Sequence, residues 1–518
     1  MVDSLNRERL KRERAMDVHE WSCEMETTDP AWTSLKGRIS ELEALGGVVQ
    51  LLEWDQQTMM PSGGAPHRGL QLATITGLMH DKLADPLVGE WIAALSGAAD
   101  PVSKAAVRNV GRDHDRAVKV PTRLVAEIAQ ASNTGFGAWM EAREANSFEP
   151  FQSSLEHLVS LRREEISHLG EAEHPYDHLL DQYDPGSTTA QLRPMFARLR
   201  SELAAFLDDV GDRDGPKVVS GEWNTTAQKA FSDQVISAIG FRLNDGRLDA
   251  SEHPFTVGLG TGDVRLTTHF YPDDLLGGLT GTIHEAGHGM YEQGLPSAHS
   301  GTGVACAAGM GLHESQSRFW ENVIGRSLPF FQWLVPLIKA HFPDDSYSPE
   351  DWFGHANRVE RSFIRVQADE ATYNLHIIIR FELELKLLSG ELSVADLPEA
   401  WNAAYTELLG ITPKDPNQGV LQDVHWSNGL FGYFPSYTIG NLYAASFRYK
   451  MEEDIPNLWE TIAQGEFGPT LKWLRDHVHQ HGHLLDAPEI FAQAVGDRDP
   501  VADLMRHLRG RQGALYGI

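Results

Sequence analysis

A chain of 518 residues, 41% of them apolar and 9% aromatic, can bury a large core in one to three domains. Its formal net charge of −29, from 73 acidic against 44 basic side chains, argues against a nucleic-acid or anionic-membrane partner. With only two cysteines, Cys23 and Cys306, a disulfide framework and a cysteine-rich zinc site are both excluded.

No apolar run approaches the roughly 18 residues needed to span a bilayer. The charged stretch from Met1 to Glu26 lacks the apolar core of a signal peptide. A cytoplasmic location is therefore expected. The acidic surface, poor in lysine relative to arginine, suits a salty cytoplasm, but ordinary solubility is the simpler reading.

In chain order, residues 1–30 read as an N-terminal extension in which Leu5 to Met16 can form a solvated helix. From Trp32 a helical period begins with Leu35, Ile39, Leu42 and Leu45 and continues through Val48, Val49, Leu51 and Leu52. The stretch from Trp54 to Pro61 ends it. Amphipathic helices are predicted over 68–95, 102–117, 121–146, 150–170 and 190–209, separated by Pro or Gly. Over 255–270, Phe255, Val257 and Leu259, then Val264, Leu266 and Thr268, alternate around Gly260-Thr261-Gly262, which predicts a β-hairpin. Helices follow over 275–293, 311–325, 330–342, 349–389 and 396–409. A loop-rich stretch covers 411–441, and helices run to the end. No repeat and no low-complexity linker divides the chain. The expected fold class is mostly α, with a small sheet at its centre.

Directly after the hairpin stands His284-Glu285-Ala286-Gly287-His288. Residues four apart on a helix share a face, so His284 and His288 can offer both imidazoles to one metal ion. Glu285 points about 100° away, within reach of a water at that metal without being a ligand. Gly287 and Gly289 each weaken a helix by about 1 kcal/mol relative to Ala, which implies that something approaches the backbone closely. The preceding segment, Leu275 to Ile283, is apolar or small, so the motif is expected to be buried. The bland alternative, two capped histidines beside a solvated glutamate, leaves those features without a reason.

A catalytic zinc wants three protein ligands and an open position. Glu314, in His313-Glu314-Ser315-Gln316, is the preferred third ligand, 26 residues after His288. Glu292 and Glu321 are less favoured, and His313 is a candidate to support a ligand from behind.

Further motifs accompany these: Asp263-Val264-Arg265-Leu266-Thr267, Ile364-Arg365-Val366-Gln367-Ala368-Asp369, and Gly419-Val420-Leu421-Gln422-Asp423-Val424-His425-Trp426, with Gly432 to Tyr437 after them. In their order and spacing the chain resembles the carboxypeptidase Taq family of metallocarboxypeptidases, from about residue 32 to the C-terminus. The resemblance leaves 1–30 as an extension and makes 31–518 a single catalytic domain. It implies a helical metallopeptidase fold with a deep substrate groove, of neurolysin-like architecture, and a homodimer. It also implies removal of single C-terminal residues with broad preference. His284, His288 and Glu314 would hold one Zn2+ per subunit, with Co2+ or Mn2+ as alternatives, and Glu285 would be the general base toward a metal-activated water.

The chemistry asks for two more parts. A developing oxyanion needs a donor beyond the metal, and His425 and Tyr437 are the candidates. A free substrate carboxylate needs a guanidinium, for which Arg365 is preferred over Arg265. Arg358, Arg361 and Arg365 fall on one stripe of the expected 349–389 helix, so an ion-paired face with Glu360, Asp369 and Glu370 is the competing reading of Arg365. Tyr433 is a candidate substrate contact, although Tyr433 and Tyr437 could equally be packing around Pro435. An endopeptidase or dipeptidase on the same fold, and an inactive helical peptide-binding protein, are the alternative functions.

Overall fold

Aspartate followed by proline opens four of the helices. Asp29, Asp85, Asp100 and Asp499 each accept a hydrogen bond from a first-turn backbone N–H, and the proline behind each has no N–H to leave unpaired. The computed structural model describes residues 29–518. The helix expected over 5–16, and Cys23, lie outside them.

Among the described residues six helices come first: α1 Pro30–Thr58, α2 Ala65–Leu83, α3 Pro86–Ala94, α4 Pro101–Lys119, α5 Thr122–Ala145 and α6 Glu149–Leu169. The single helix expected over 68–95 is two, because Asp85 caps a new start and Pro86 cannot donate to the turn before it. A helical turn α7 Asp177–Leu180, then α8 Thr189–Val210 and α9 Thr225–Ile239, lead to the sheet.

The sheet has three strands, β1 Gly246–Ala250, β2 Thr256–Gly260 and β3 Asp263–Thr268, in the order β1-β3-β2. The predicted hairpin is the antiparallel β2–β3 pair, with Val257 opposite Arg265. Strand β1 adds in parallel, Leu248 opposite Leu266. It was not legible in the sequence, since its Arg247, Leu248 and Asp249 offer one apolar residue and no alternation.

Helix α10 Leu275–Glu292 follows at once, then α11 Met310–Arg318, which runs on into a π-helical segment Phe319–Ile324. Next come α12 Leu328–His341 and α13 Pro349–Ala356. The long helix expected over 349–389 is a correction. The chain leaves helix at 357, makes a short 3-10 turn over Arg365–Gln367, and resumes as α14 Glu370–Ser389. Asp369 caps that restart, accepting from the Ala371 and Thr372 amides. Arg358, Arg361 and Arg365 therefore share no stripe. Arg358 donates to the Pro216 carbonyl, Arg361 to the carbonyls of Leu409 and Leu207, and Arg365 to Asp423.

The last part comprises α15 Leu397–Leu409, an irregular stretch, and α16 Pro435–Asp454, which starts earlier than the loop expected to 441 because Pro435 opens its first turn. It ends with α17 Leu458–Ala463, α18 Gly468–His477, α19 Ala487–Val495, α20 Pro500–Leu508 and α21 Ala514–Tyr516. One apolar core runs from Trp139 to Tyr516 and includes Leu266, Ile283, Trp320 and Trp426. Trp32, Leu35, Ile39, Val88 and Val110 form a separate small core among the first helices. Among the described residues no helix is long and apolar enough to cross a membrane.

The glycine inside the HEAGH stretch has the steric reason its helix cost implied. A Cβ on Gly287 would stand 2.6 Å from Ser317 Cα and 2.7 Å from the Gln316 carbonyl, so α11 packs backbone-to-backbone on α10. Gly281, two turns earlier, would meet only a Pro254 side-chain carbon at 3.7 Å. Gly287→Ala should therefore destabilise by about 1–3 kcal/mol through overpacking. Gly281→Ala should be neutral or stabilise by up to about 1 kcal/mol. Denaturant titration of both variants checks this, and equal effects would refute the packing account.

Candidate active site

Asp274 caps α10 by accepting from the Gly277 amide at 2.8 Å, and the helix then runs through the core with almost every residue from Leu275 to Tyr291 buried. His284 and His288 project from one face, their ring centroids 4.8 Å apart. Helix α11 brings Glu314 across from them: its Oε2 lies 3.4 Å from His288 Nε2 and 3.7 Å from His284 Nε2. One donor atom from each of the three lies within 4.8 Å of the others.

Tetrahedral coordination at about 2.0–2.1 Å places ligand atoms about 3.4 Å apart, close to both separations. The electrostatics agree. Burial alone would favour neutral imidazoles, and it holds His288 down to about 3, in the form a metal ligand needs. At His284 burial also opposes protonation, but Glu314 and Glu321 outweigh it and its pKa is raised. Three carboxylates, Glu285, Glu314 and Glu321, face two guanidinium groups, Arg318 and Arg326. The balance leaves room for a cation, and the donor set fits one.

Glu321 is not beside His288 as a third ligand. It accepts from His284 Nδ1–H at 2.8 Å, which orients the ring and leaves Nε2 free. Arg318 in turn ties the two carboxylates together, 2.6 Å from Glu314 Oε1 and 3.2 Å from Glu321 Oε2. Burial pushes both carboxyl groups up, yet Arg318 and the histidines hold them well below the usual carboxylate range. Glu292 is occupied by His313 Nε2 at 2.9 Å, and His313 stacks on the His288 ring at 4.3 Å. His313 thus supports a ligand from behind through ring contact.

Glu285 is buried on the same helix, and burial raises its pKa. Its Oε2 accepts from the Thr256 hydroxyl at 2.7 Å. Thr256 opens β2, so the small sheet reaches the site through this hydroxyl.

The second half of the chain contributes an aromatic group. His425 Nε2 lies 3.2 Å from the Tyr437 hydroxyl, and the Tyr433 ring packs 5.6 Å from His425 and 5.3 Å from Tyr437. Burial holds His425 down to about 3 and raises the pKa of Tyr437, so His425 is neutral and Tyr437 keeps its proton. Arg365 stands beside them, 5.0 Å from the Tyr437 ring, donating to Asp423 at 2.9 Å and to the Tyr373 hydroxyl at 3.0 Å. Asp423 also receives Arg380 at 2.6 Å. Tyr373 joins the two halves, because Arg318 lies 4.3 Å over its ring. The competing reading of Arg365, an ion-paired face with Glu360, Asp369 and Glu370, does not hold, since its carboxylate partner is Asp423.

Arg265 sits apart from this group. Both its donating nitrogens go to Asp263, at 3.0 and 2.9 Å, and its guanidinium lies 4.4 Å over Trp54 of α1.

Sequence reading passed over Arg318, Arg380 and Asp184. Arg318 was legible, four residues after Glu314 on the same helical face. Asp184 was not. It accepts from the Gly311 amide at 2.6 Å and the Ser436 hydroxyl at 2.5 Å, so it pins the first turns of α11 and α16 together. Burial without a cation pushes its pKa up to about 6.

Residues 34–512 match the family model of the carboxypeptidase Taq (M32) metallopeptidases. The chain is 41% identical to thermostable carboxypeptidase 1 of Thermus thermophilus, over 95% of this chain and 100% of that one. It is 36% identical to carboxypeptidase 1 of Bacillus subtilis, over 95% and 99%. The crystal structure of an M32 carboxypeptidase from Deinococcus radiodurans superposes with a TM-score of 0.91 at 37% identity, covering 95% of this chain and 100% of that one. This chain belongs to the carboxypeptidase Taq (M32) family of metallopeptidases.

Proposed function

We propose that the protein is a metal-dependent carboxypeptidase that removes single C-terminal residues from peptides with broad preference. The observation that carries this reading is the meeting of His284, His288 and Glu314 on two buried helices with Glu285 beside them. These three residues would hold one ion per subunit, zinc first, with cobalt or manganese accepting the same donors. When bound, the ion supplies Lewis acidity toward water and toward the scissile carbonyl.

The chain's own groups do the rest. Glu285 takes the proton of the attacking water and passes it to the leaving amine; a carboxylate kept basic by burial is suited to both transfers. Tyr437 and the neutral His425 donate to the oxygen on which charge develops. Tyr433 lines the substrate position, and Arg365 receives the terminal carboxylate. Asp423 shares its single charge between Arg365 and Arg380, so the cluster keeps one positive charge in excess, which favours a substrate anion. On the same reading residues 31–518 act as one catalytic domain in a cytoplasmic homodimer, without nucleic-acid or membrane partners.

Two substitutions separate ligand from base. Glu314→Gln should lose bound metal, as read by elemental analysis, while still folding, because Arg318 keeps Glu321 as its partner. Glu285→Gln should keep its metal while kcat falls by about three orders of magnitude or more. Loss of metal in Glu285→Gln would show that the two roles have been misassigned.

Arg365→Ala tests the exopeptidase register. Arg380 still pairs Asp423 in that variant, so no buried carboxylate is orphaned. The expected loss is about 2–5 kcal/mol of transition-state stabilisation on free-carboxylate peptides and much less on their amidated counterparts. Arg265→Ala is the comparison, since Asp263 already engages its guanidinium. Selective loss in Arg265→Ala alone would move the clamp to the hairpin. Efficient cleavage of amidated peptides by the wild type would favour an endopeptidase.

A further inference from the structure

Helix α14 carries Glu384 in the core, fully buried and, among the described residues, without an ion-pair partner within salt-bridge distance. Such a residue needs a reason, because an unpaired buried carboxylate is costly. Its surroundings supply one. Oε1 accepts from Trp426 Nε1–H at 2.8 Å. Oε2 accepts from the Tyr176 hydroxyl at 2.6 Å and from the Gly432 amide at 3.0 Å. Three donors converge, and they need acceptors at both oxygens at once.

Trp426 directly follows His425, and Gly432 directly precedes Tyr433. The carboxylate therefore fastens both ends of the loop between those two residues to a rigid helix. Apolar contacts hold the same loop from its sides: Trp426 stacks on Phe431 and meets Trp401 edge-on. Backbone bonds from Asn428 and Leu430 to the His425 carbonyl close the loop on itself, and Ser132 and Arg162 hold its middle through the Asn428 and Gly429 carbonyls; the Glu384 carboxylate bonds both Trp426 and Gly432.

We infer that Glu384 is a positioning residue, whose two-ended grip on Trp426 and Gly432 sets where His425 and Tyr433 stand relative to each other and to Tyr437. The inference rests on the reading above that those rings face the substrate. A glutamine fits the same volume but cannot do the same work. One of its two ends is an NH2, which would point a donor at a donor: the Tyr176 hydroxyl can turn and accept from it, but either the Trp426 indole or the Gly432 amide loses its acceptor. Burial pushes the pKa of Glu384 up to about 7 against the pull of the three donors and Arg380. Tyr176 and Tyr183, both with raised pKa values, are the other titratable groups around it.

The test is kinetic, on metal-loaded enzyme with a free-carboxylate peptide. Glu384→Gln should lower kcat by about 30-fold or more with KM changed only a few-fold, at wild-type metal content. In a His425→Ala background the same substitution should cost no more than about 3-fold, since a residue acting through His425 has little left to disturb. If Glu384→Gln does not fold, Trp426→Phe takes its place; it removes one donor, keeps the ring against Phe431, and should lower kcat in the same direction. Unchanged kcat and KM, or a full loss added on top of His425→Ala, would overturn the inference. A second readout is independent of activity. The Trp426 indole 1H–15N signal, identified by its absence in Trp426→Phe, and the Gly432 amide signal report the two ends of the grip; at least one should move upfield in Glu384→Gln, and both staying in place would equally overturn the inference. An inactive wild type would defeat the peptidase reading alone, because those two signals still decide whether Glu384 holds the loop.

Discussion

The site depends on how two buried carboxylates are kept ionised. Glu314 and Glu321 lie in the core, where desolvation alone would protonate them. Arg318, between them on the same helical run, touches both and prevents it. Breaking a buried ion cluster by removing one partner typically costs about 3–5 kcal/mol, so Arg318 holds both the charge state and the geometry. The acid that faces the imidazoles and the acid that orients His284 are tied together by the Arg318 guanidinium, with Arg326 on the other oxygen of Glu321. The π-helical segment at Phe319–Ile324 contributes by setting Glu321 at the height of His284 Nδ1.

From that cluster the constraint spreads outward. Gly287 lets α11 lie against α10, and Gly440 does the same for α16, where a Cβ would fall 2.6 Å from Glu314 Cγ. Asp184 joins the first turns of α11 and α16, and with them Glu314 and Tyr437. The Thr256 hydroxyl brings the sheet onto Glu285. Tyr373, with Arg318 on its ring and Arg365 on its hydroxyl, links the histidine–carboxylate group to the arginine pair on Asp423. These links lie within or at the edge of the core, so the donor atoms are placed in advance of any substrate.

Much of this was legible in the residues. Helical period and spacing gave α10 and its paired histidines, and alternation gave the β2–β3 hairpin, because both signals are local. The failures are also physical. Strand β1 has one inward apolar side chain, Leu248, and exists because β3 offers a free edge. The break before α14 has neither Gly nor Pro; it is set by the Asp369 cap and by arginines that find carbonyls far along the chain. Asp423 stood in one of the motifs, but what it does there depends on Arg365 and Arg380 arriving from other elements. Long-range partners of charged groups leave no period to read.

The central claim is that His284, His288 and Glu314 hold an ion that this chain uses to shorten peptides from the C-terminus. The most direct measurement is mass spectrometry over time of one peptide incubated with wild-type protein, before chelation, after chelation, and after zinc is returned. The account predicts a ladder of products losing one residue at a time from the C-terminal end, absent after chelation and restored by zinc. Internal fragments, or a ladder that survives chelation, would contradict it.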